Sequence, residues 1–197
     1  GRDANPPGEG DWAGDNECGD GVPGFDRFFH GLFVFILIGA NADNGIGIAG
    51  MDWAASILPV RALARCGGTD ADVFEGMLWA SGVQIAGVPA NLYPARVINM
   101  SLGGWGACSS AVQEAIDDAL AQGAVVVVSA GNASIDVESF SPANCGGVIT
   151  VGGDASYRDD TWLSVDNRDV PKQDAFTLVG LFGVYDTPGG TWQLRAG

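Results

Sequence analysis

Few residues in this chain have side chains suited to chemistry on a substrate. His30 is the only histidine among 197 residues, and it stands beside a strongly apolar run. An imidazole can exchange a proton near neutral pH, but a lone histidine against apolar neighbours reads first as structural. Ser101 and Ser129 each follow a short apolar run, and Asn132 comes three residues after the second serine. A serine hydroxyl becomes a nucleophile only beside a base. Asn99-Met100-Ser101-Leu102-Gly103 matches the Gly-x-Ser-x-Gly elbow of esterases only in part. Taken by residue type alone, Asn132 is a turn asparagine after a strand. The oxygens of Asn41-Ala42-Asp43-Asn44 can hold a calcium ion, although the following Gly45 makes a plain Asn-Gly turn the simpler reading.

The serines and Asn132 are placed by the stretch from Arg96 to Asn132. Ala95 to Met100 and the β-branched run Ala124 to Val128 read as short strands, and an amphipathic segment separates them. This pattern predicts a β-α-β unit. The strands end in Ser101-Leu102-Gly103-Gly104 and Ser129-Ala130-Gly131-Asn132, and ligands of parallel α/β sheets bind beyond such carboxyl ends. Glycine there lets another chain approach the backbone closely. The connecting helix is predicted over about 111–121, capped by Ser109 or Ser110 and ended by Gly123. Val112, Ala115, Ile116, Ala119 and Leu120 form its buried face.

The formal net charge is −15, and Lys172 is the only lysine. Little on this surface can neutralise phosphates, which argues against a nucleic-acid partner. The four cysteines, at 18, 66, 108 and 145, lack Cys-x-x-Cys spacing. Two disulfides in an exported protein are expected, and spacing alone leaves three pairings open. The chain starts on Gly1-Arg2-Asp3 without methionine, so a processed or trimmed start is expected. The apolar run 32–40 is too short to span a bilayer.

Residues 1–27 are rich in Gly, Asp, Asn and Pro and read as a surface loop pinned by Trp12 and Cys18. Phe25 to Ala40 is apolar on all sides, which predicts a buried helix or a buried strand. Ala55 to Leu63 reads as a buried strand interrupted at Pro59. A helix is predicted over 71–81 behind an N-cap at Thr69 or Asp70, with Val73, Met77 and Ala80 on its inner stripe beside Phe74 and Leu78. Val148 to Val151 is a further strand. A hairpin is predicted from 176–185 and 191–194 around Asp186-Thr-Pro-Gly-Gly190.

Together these segments resemble the subtilisin-like serine peptidases, specifically their secreted bacterial branch with disulfide-bearing loops. The resemblance covers roughly residues 1–153. It rests on His30-Gly31, Asn44-Gly-Ile-Gly-Ile-Ala-Gly50, Leu58-Pro-Val-Arg61, Val97 to Gly104 and Val125 to Asn132, with Gly10-Asp-Trp12 and Asn16-Glu-Cys-Gly19 as the loop ahead of the histidine. It implies a doubly wound, mostly parallel α/β sheet, here truncated, with an irregular N-terminal loop and a divergent C-terminal tail. It implies peptide hydrolysis by an Asp-His-Ser triad. By position, His30 takes the place of the general base and Asn132 that of the oxyanion donor. Ser101-Leu102-Gly103 and Ser129-Ala130-Gly131 take the place of the walls that pair with a substrate strand and line its first specificity pocket. The resemblance also implies the disulfides Cys18–Cys66 and Cys108–Cys145.

The sequence departs from that family in three places. The orienting aspartate belongs upstream of Gly1, and no Gly-Thr-Ser-Met-type nucleophile motif occurs before Gly197. Bulky residues fill Leu32-Phe-Val-Phe-Ile36, where the family packs small ones, and overpacking costs about 1–3 kcal/mol per site. The expectation is therefore a secreted serine endopeptidase lineage, inactive or weak in this form, with residues 1–153 as a partial catalytic domain and 154–197 as an appendage. The alternatives are an ester hydrolase using Ser101 or Ser129 as a replacement nucleophile, and a non-catalytic peptide binder. The expected partner is a peptide or ester substrate, and an exposed sheet edge invites self-association.

Overall fold

Two hydroxyl caps set the helical part of the structure. Thr69 Oγ1 accepts from the Asp72 backbone N–H, and Ser109 Oγ accepts from that of Val112. Each satisfies a donor that a helix start would otherwise leave orphaned. The computed structural model describes residues 13–24, 30–133, 136–158, 161–162, 172–173, 176–187 and 190–196, with side chains described up to residue 152. Trp12 and the Gly10-Asp11-Trp12 motif lie outside the described residues. In chain order the elements are α1 His30–Gly39, α2 Asp70–Ser81, β1 Val97–Met100, β2 Gly104–Trp105, α3 Ser110–Ala121, β3 Val125–Ser129 and a 3-10 turn Val137–Ser139. There follow β4 Phe140–Ser141, β5 Ile149–Arg158, β6 Thr161–Trp162, β7 Lys172–Gln173, β8 Phe176–Thr187 and β9 Gly190–Ala196.

The chain divides into two units, residues 1–101 with 109–126, and residues 102–108 with 127–197. In the first, α2 packs against α3 and β1. Val73, Met77 and Ala80 of α2 meet a core that also holds Val112, Ala115, Ile116 and Ala119 of α3, with Ile98, Met100, Ala124 and Val126 buried beside them. Phe74, Leu78 and Leu120 are half-buried at its margin. The start of β3 lies beside β1, where the Val125 N–H donates to the Arg96 carbonyl at 2.9 Å. Gly82 ends α2 at a φ of 101°, and its N–H donates to the Leu78 and Trp79 carbonyls.

Two expectations for this unit are corrected. From His30 to Gly39 the apolar run forms a helix, α1, but no residue of that helix is buried, and Phe33 is 60% exposed; residues 25–29 of the run lie outside the described residues. The C-terminal carbonyls of α1 are satisfied by the returning chain, since the Met51 and Asp52 N–H groups donate to Leu37 and Ile38. The buried strand expected over 55–63 is absent; that segment belongs to no strand and is mostly exposed. Its Val60 and Ala62 lie instead over Gly76 of α2, and Pro59 supplies no N–H for a sheet ladder.

In the second unit, β3 pairs with β5 in parallel through Val127↔Ile149, Val128↔Thr150 and Ser129↔Val151. The β-branched residues of β3 suit such a sheet. β5 runs on without a break through 153 and 154 and pairs antiparallel with β8, which turns into β9 with Thr187 opposite Gly190. β2 pairs antiparallel with β4, and β6 with β7. The class is thus α/β, with a parallel step at β3–β5 and antiparallel strands added beyond it.

Candidate active site

The loop ends after β1 and β3 are drawn together by one side chain and one ring. The Ser129 hydroxyl donates to the Leu102 carbonyl at 3.4 Å. Ser129 closes β3, and the next residue, Ala130, donates its N–H to the Val151 carbonyl of β5 at 2.8 Å. Gly131 then turns at a φ of 82°, a conformation that glycine adopts without the Cβ penalty of other residues. Asn132 follows with its side chain exposed.

The ring of Phe140 lies against both glycines of these loops. A methyl group built on Gly131 would sit 2.8 Å from Cζ, 2.9 Å from Cε1 and 3.0 Å from Cε2. One built on Gly103 would collide with Cε1 and lie 3.0 Å from Cζ. Only glycine leaves room for the ring at either position. Phe140 is itself held by its surroundings. It stands opposite Trp105 in the β2–β4 pair, and the Gly106 N–H donates to the Ser139 carbonyl at 3.0 Å. Asn144 Nδ2 donates to the Gly106 and Glu138 carbonyls, each at 2.9 Å. The Cys108–Cys145 disulfide ties the same two segments, and the buried Thr150 hydroxyl donates to the Ala143 carbonyl at 2.8 Å.

Residue types alone gave no reason to single out Phe140 or Asn144. The available signal was the pair Gly103 and Gly131, small residues at matching places in two loops, which can mark a bulky neighbour.

The remaining candidates are placed as follows. Ser101 is half-buried, and its Oγ accepts from Asn99 Nδ2 at 3.0 Å. His30 is the first residue of α1 and is exposed. His30 and Ser101 belong to the first unit, whereas Leu102, Gly103, Ser129, Ala130, Gly131 and Asn132 belong to the second. The Ser129 O–H points its proton at a carbonyl, and Ser101 Oγ receives one from an amide, so both hydroxyls have local structural partners.

In the N-terminal loop, Cys18 is bonded to Cys66. Beside that disulfide, Arg65 forms an ion pair with Glu17. The Glu17 carboxylate also accepts from the Gly14 N–H at 2.8 Å. That backbone bond, and then Arg65, hold its pKa below the ordinary value.

For a cation, the relevant turn is Asp43 to Gly47. Asn44 Oδ1 accepts from the Ile46 N–H at 3.0 Å, and Asp43, Gly45 and Gly47 all have positive φ. The asparagine oxygen serves an Asx turn. Among the described residues no group of three or more His, Cys, Asp or Glu is arranged so that it could hold a metal ion. No described helix is long and apolar enough to cross a membrane.

The model of the subtilase family, Peptidase_S8, matches residues 10–173. An extracellular protease of Xanthomonas campestris is 46% identical over 163 residues, covering 80% of this chain and 28% of that protein. An extracellular basic protease of Dichelobacter nodosus is 44% identical over 156 residues, covering 77% of this chain and 26% of that protein. The chain thus spans little more than a quarter of the length of these relatives. A solved protease structure from Pseudoalteromonas arctica superposes with a TM-score of 0.70 at 45% identity, over 72% of this chain and 41% of that one. This chain belongs to the subtilase family of serine peptidases.

Proposed function

We propose that this chain carries the peptide-binding loops, the general base and the oxyanion donor of a secreted serine endopeptidase. The observation that carries this reading is Asn132, exposed beyond the left-handed Gly131 at the carboxyl end of a parallel strand. An amide there can donate to the oxyanion of a tetrahedral intermediate. His30 takes the proton from the attacking serine and returns it to the leaving amine. The segments Ser101-Leu102-Gly103 and Ser129-Ala130-Gly131 offer backbone groups to an extended substrate, which adds to them as a strand.

Secretion is supported by relatives named as extracellular proteases and by two disulfides, which persist in oxidising compartments. We read residues 1–153 as the peptidase part and 154–197, whose β8 and β9 extend the sheet antiparallel, as its appendage. The acidic balance weighs against nucleic acid. The place of β1 at the end of the strand order supports a reading in which copies associate through that edge, and sedimentation tests it. The ester-hydrolase reading draws no support from Ser101 or Ser129, whose hydroxyls are engaged locally.

The test is casein and peptide hydrolysis by the full-length protein, with labelling by a serine-directed covalent probe. Turnover and labelling that both collapse in His30→Ala are expected. Undiminished turnover in that variant would refute the assignment.

A further inference from the structure

We infer that Leu92 and Tyr93, at the tip of the connection between α2 and β1, form a second contact for polypeptide substrates, apart from the site of cleavage. This rests on reading the chain as an endopeptidase. Single apolar residues on a surface are ordinary, but these two are adjacent and 79% and 81% exposed, and Val97 at the start of β1 is 61% exposed. The connection that carries them is held fast. Trp79 Nε1 donates to the Pro89 carbonyl at 2.8 Å, and Asn91 Nδ2 donates to the Trp79 and Ala80 carbonyls at 3.1 and 3.0 Å. Asn91 Oδ1 in turn accepts from the Tyr93 N–H at 2.9 Å, and the Ala95 N–H donates to the Ala80 carbonyl at 2.8 Å. Gln84 Nε2 fastens the start of the connection by donating to the Ile85 and Val88 carbonyls. A large side chain presented on a backbone already fixed loses little entropy on binding.

Charge and placement point to the occupant. Residues 82–95 contain no charged side chain in a chain of net charge −15, and the exposed Arg96 follows them. A partner that sets an aliphatic or aromatic side chain on Leu92 and Tyr93, with a carboxylate toward Arg96, avoids the repulsion of an acidic surface. An anionic lipid surface calls for several cations, and Arg96 is the only lysine or arginine from residue 66 to 157. One strand joins the patch to the cleavage site. β1 starts at Val97 and ends at Met100, one residue before Ser101, where the wall read as binding substrate begins. A strand of four residues spans about 13 Å. A polypeptide that continues past the wall can reach both places, whereas a tetrapeptide, of about that length, is taken up by the wall itself. The patch therefore raises affinity for protein substrates and leaves turnover of short ones alone.

The experiment compares the full-length protein with its double variant Leu92→Ser, Tyr93→Ser in hydrolysis of casein and of a chromogenic tetrapeptide. Both side chains are exposed and the backbone bonds of the connection are retained, so the variant is expected to fold, which circular dichroism checks. Casein kcat/KM is expected to fall at least about fivefold, through KM. Tetrapeptide kinetics are expected to stay within about twofold. Tyr93→Phe, which keeps the ring, is expected to retain wild-type casein kinetics. If the double variant does not fold, Tyr93→Ser and Tyr93→Phe, measured in the same way, decide the matter. A casein KM unmoved by the substitutions, or casein and tetrapeptide rates that fall together, would overturn the second contact and leave the endopeptidase reading standing. A variant that changes only in sedimentation would assign the patch to a second copy of the chain and overturn the inference too. Absence of turnover of either substrate by the wild-type protein would remove the endopeptidase reading, and this inference with it.

Discussion

The Ser129 hydroxyl donates to the Leu102 carbonyl, a bond that joins the end of β3 to the loop that follows β1. Twenty-seven residues separate the partners in sequence. Neither has a side chain that would mark it as a fastening, and the bond exists because two strand ends arrive together.

Replacing Ser129 with alanine is expected to cost about 0.5–1.5 kcal/mol, the usual net contribution of a neutral hydrogen bond. Urea titration measures the loss. Peptide turnover by the full-length protein is expected to stay within roughly fivefold, because truncating a structural hydroxyl removes no reacting atom. Abolished turnover would instead make Ser129 the nucleophile.

Gly131→Ala combines two penalties. The backbone is at a φ of 82°, and the new methyl group would press on the Phe140 ring. A non-glycine residue in that conformation costs about 1–3 kcal/mol before the clash is counted. Thermal unfolding is expected to show a larger loss than for Gly123→Ala. Gly123 has the same backbone sign and no neighbouring atom within reach of an added methyl group. Equal losses would contradict the contact with Phe140.

Acid sensitivity is expected from the loop around Glu17. Its carboxyl is held below the ordinary pKa by the Gly14 N–H and then by Arg65. A depressed folded value means the contribution is fully present above the unfolded pKa and is lost as pH falls through the folded one. The difference in melting temperature between wild type and Glu17→Gln is therefore expected to be largest near neutral pH and to shrink toward about pH 3. A difference independent of pH would contradict this. The group is partly exposed, so the effect should also weaken with added salt.

The helices were legible because their signals are local. Thr69 and Ser109 cap α2 and α3, and Val73, Met77, Val112 and Ile116 recur at helical spacing. The pairing of β8 with β9 was legible from Asp186-Thr-Pro-Gly-Gly190 in the sequence between two apolar runs. The segment over 55–63 was misread because apolar, β-branched residues suit a strand, whereas pairing depends on a partner that sequence pattern does not supply. The run in α1 carried the same ambiguity: hydrophobicity on every side implies burial, yet Leu32, Phe33 and Leu37 are each more than half exposed. The disulfide pairings came with the family resemblance, since spacing left three open. Phe140 escaped notice because its importance lies in two glycines distant from it in sequence, and only the fold brings them to one ring.

The most direct measurement is steady-state hydrolysis of a peptide substrate by the full-length protein carrying Asn132→Ala. An oxyanion donor acts in the transition state and hardly at all on bound substrate. The expected result is a fall in kcat of about 10²–10³-fold, with KM changed by less than about threefold. An unchanged kcat, or a loss confined to KM, would contradict the placement of an oxyanion donor beyond Gly131.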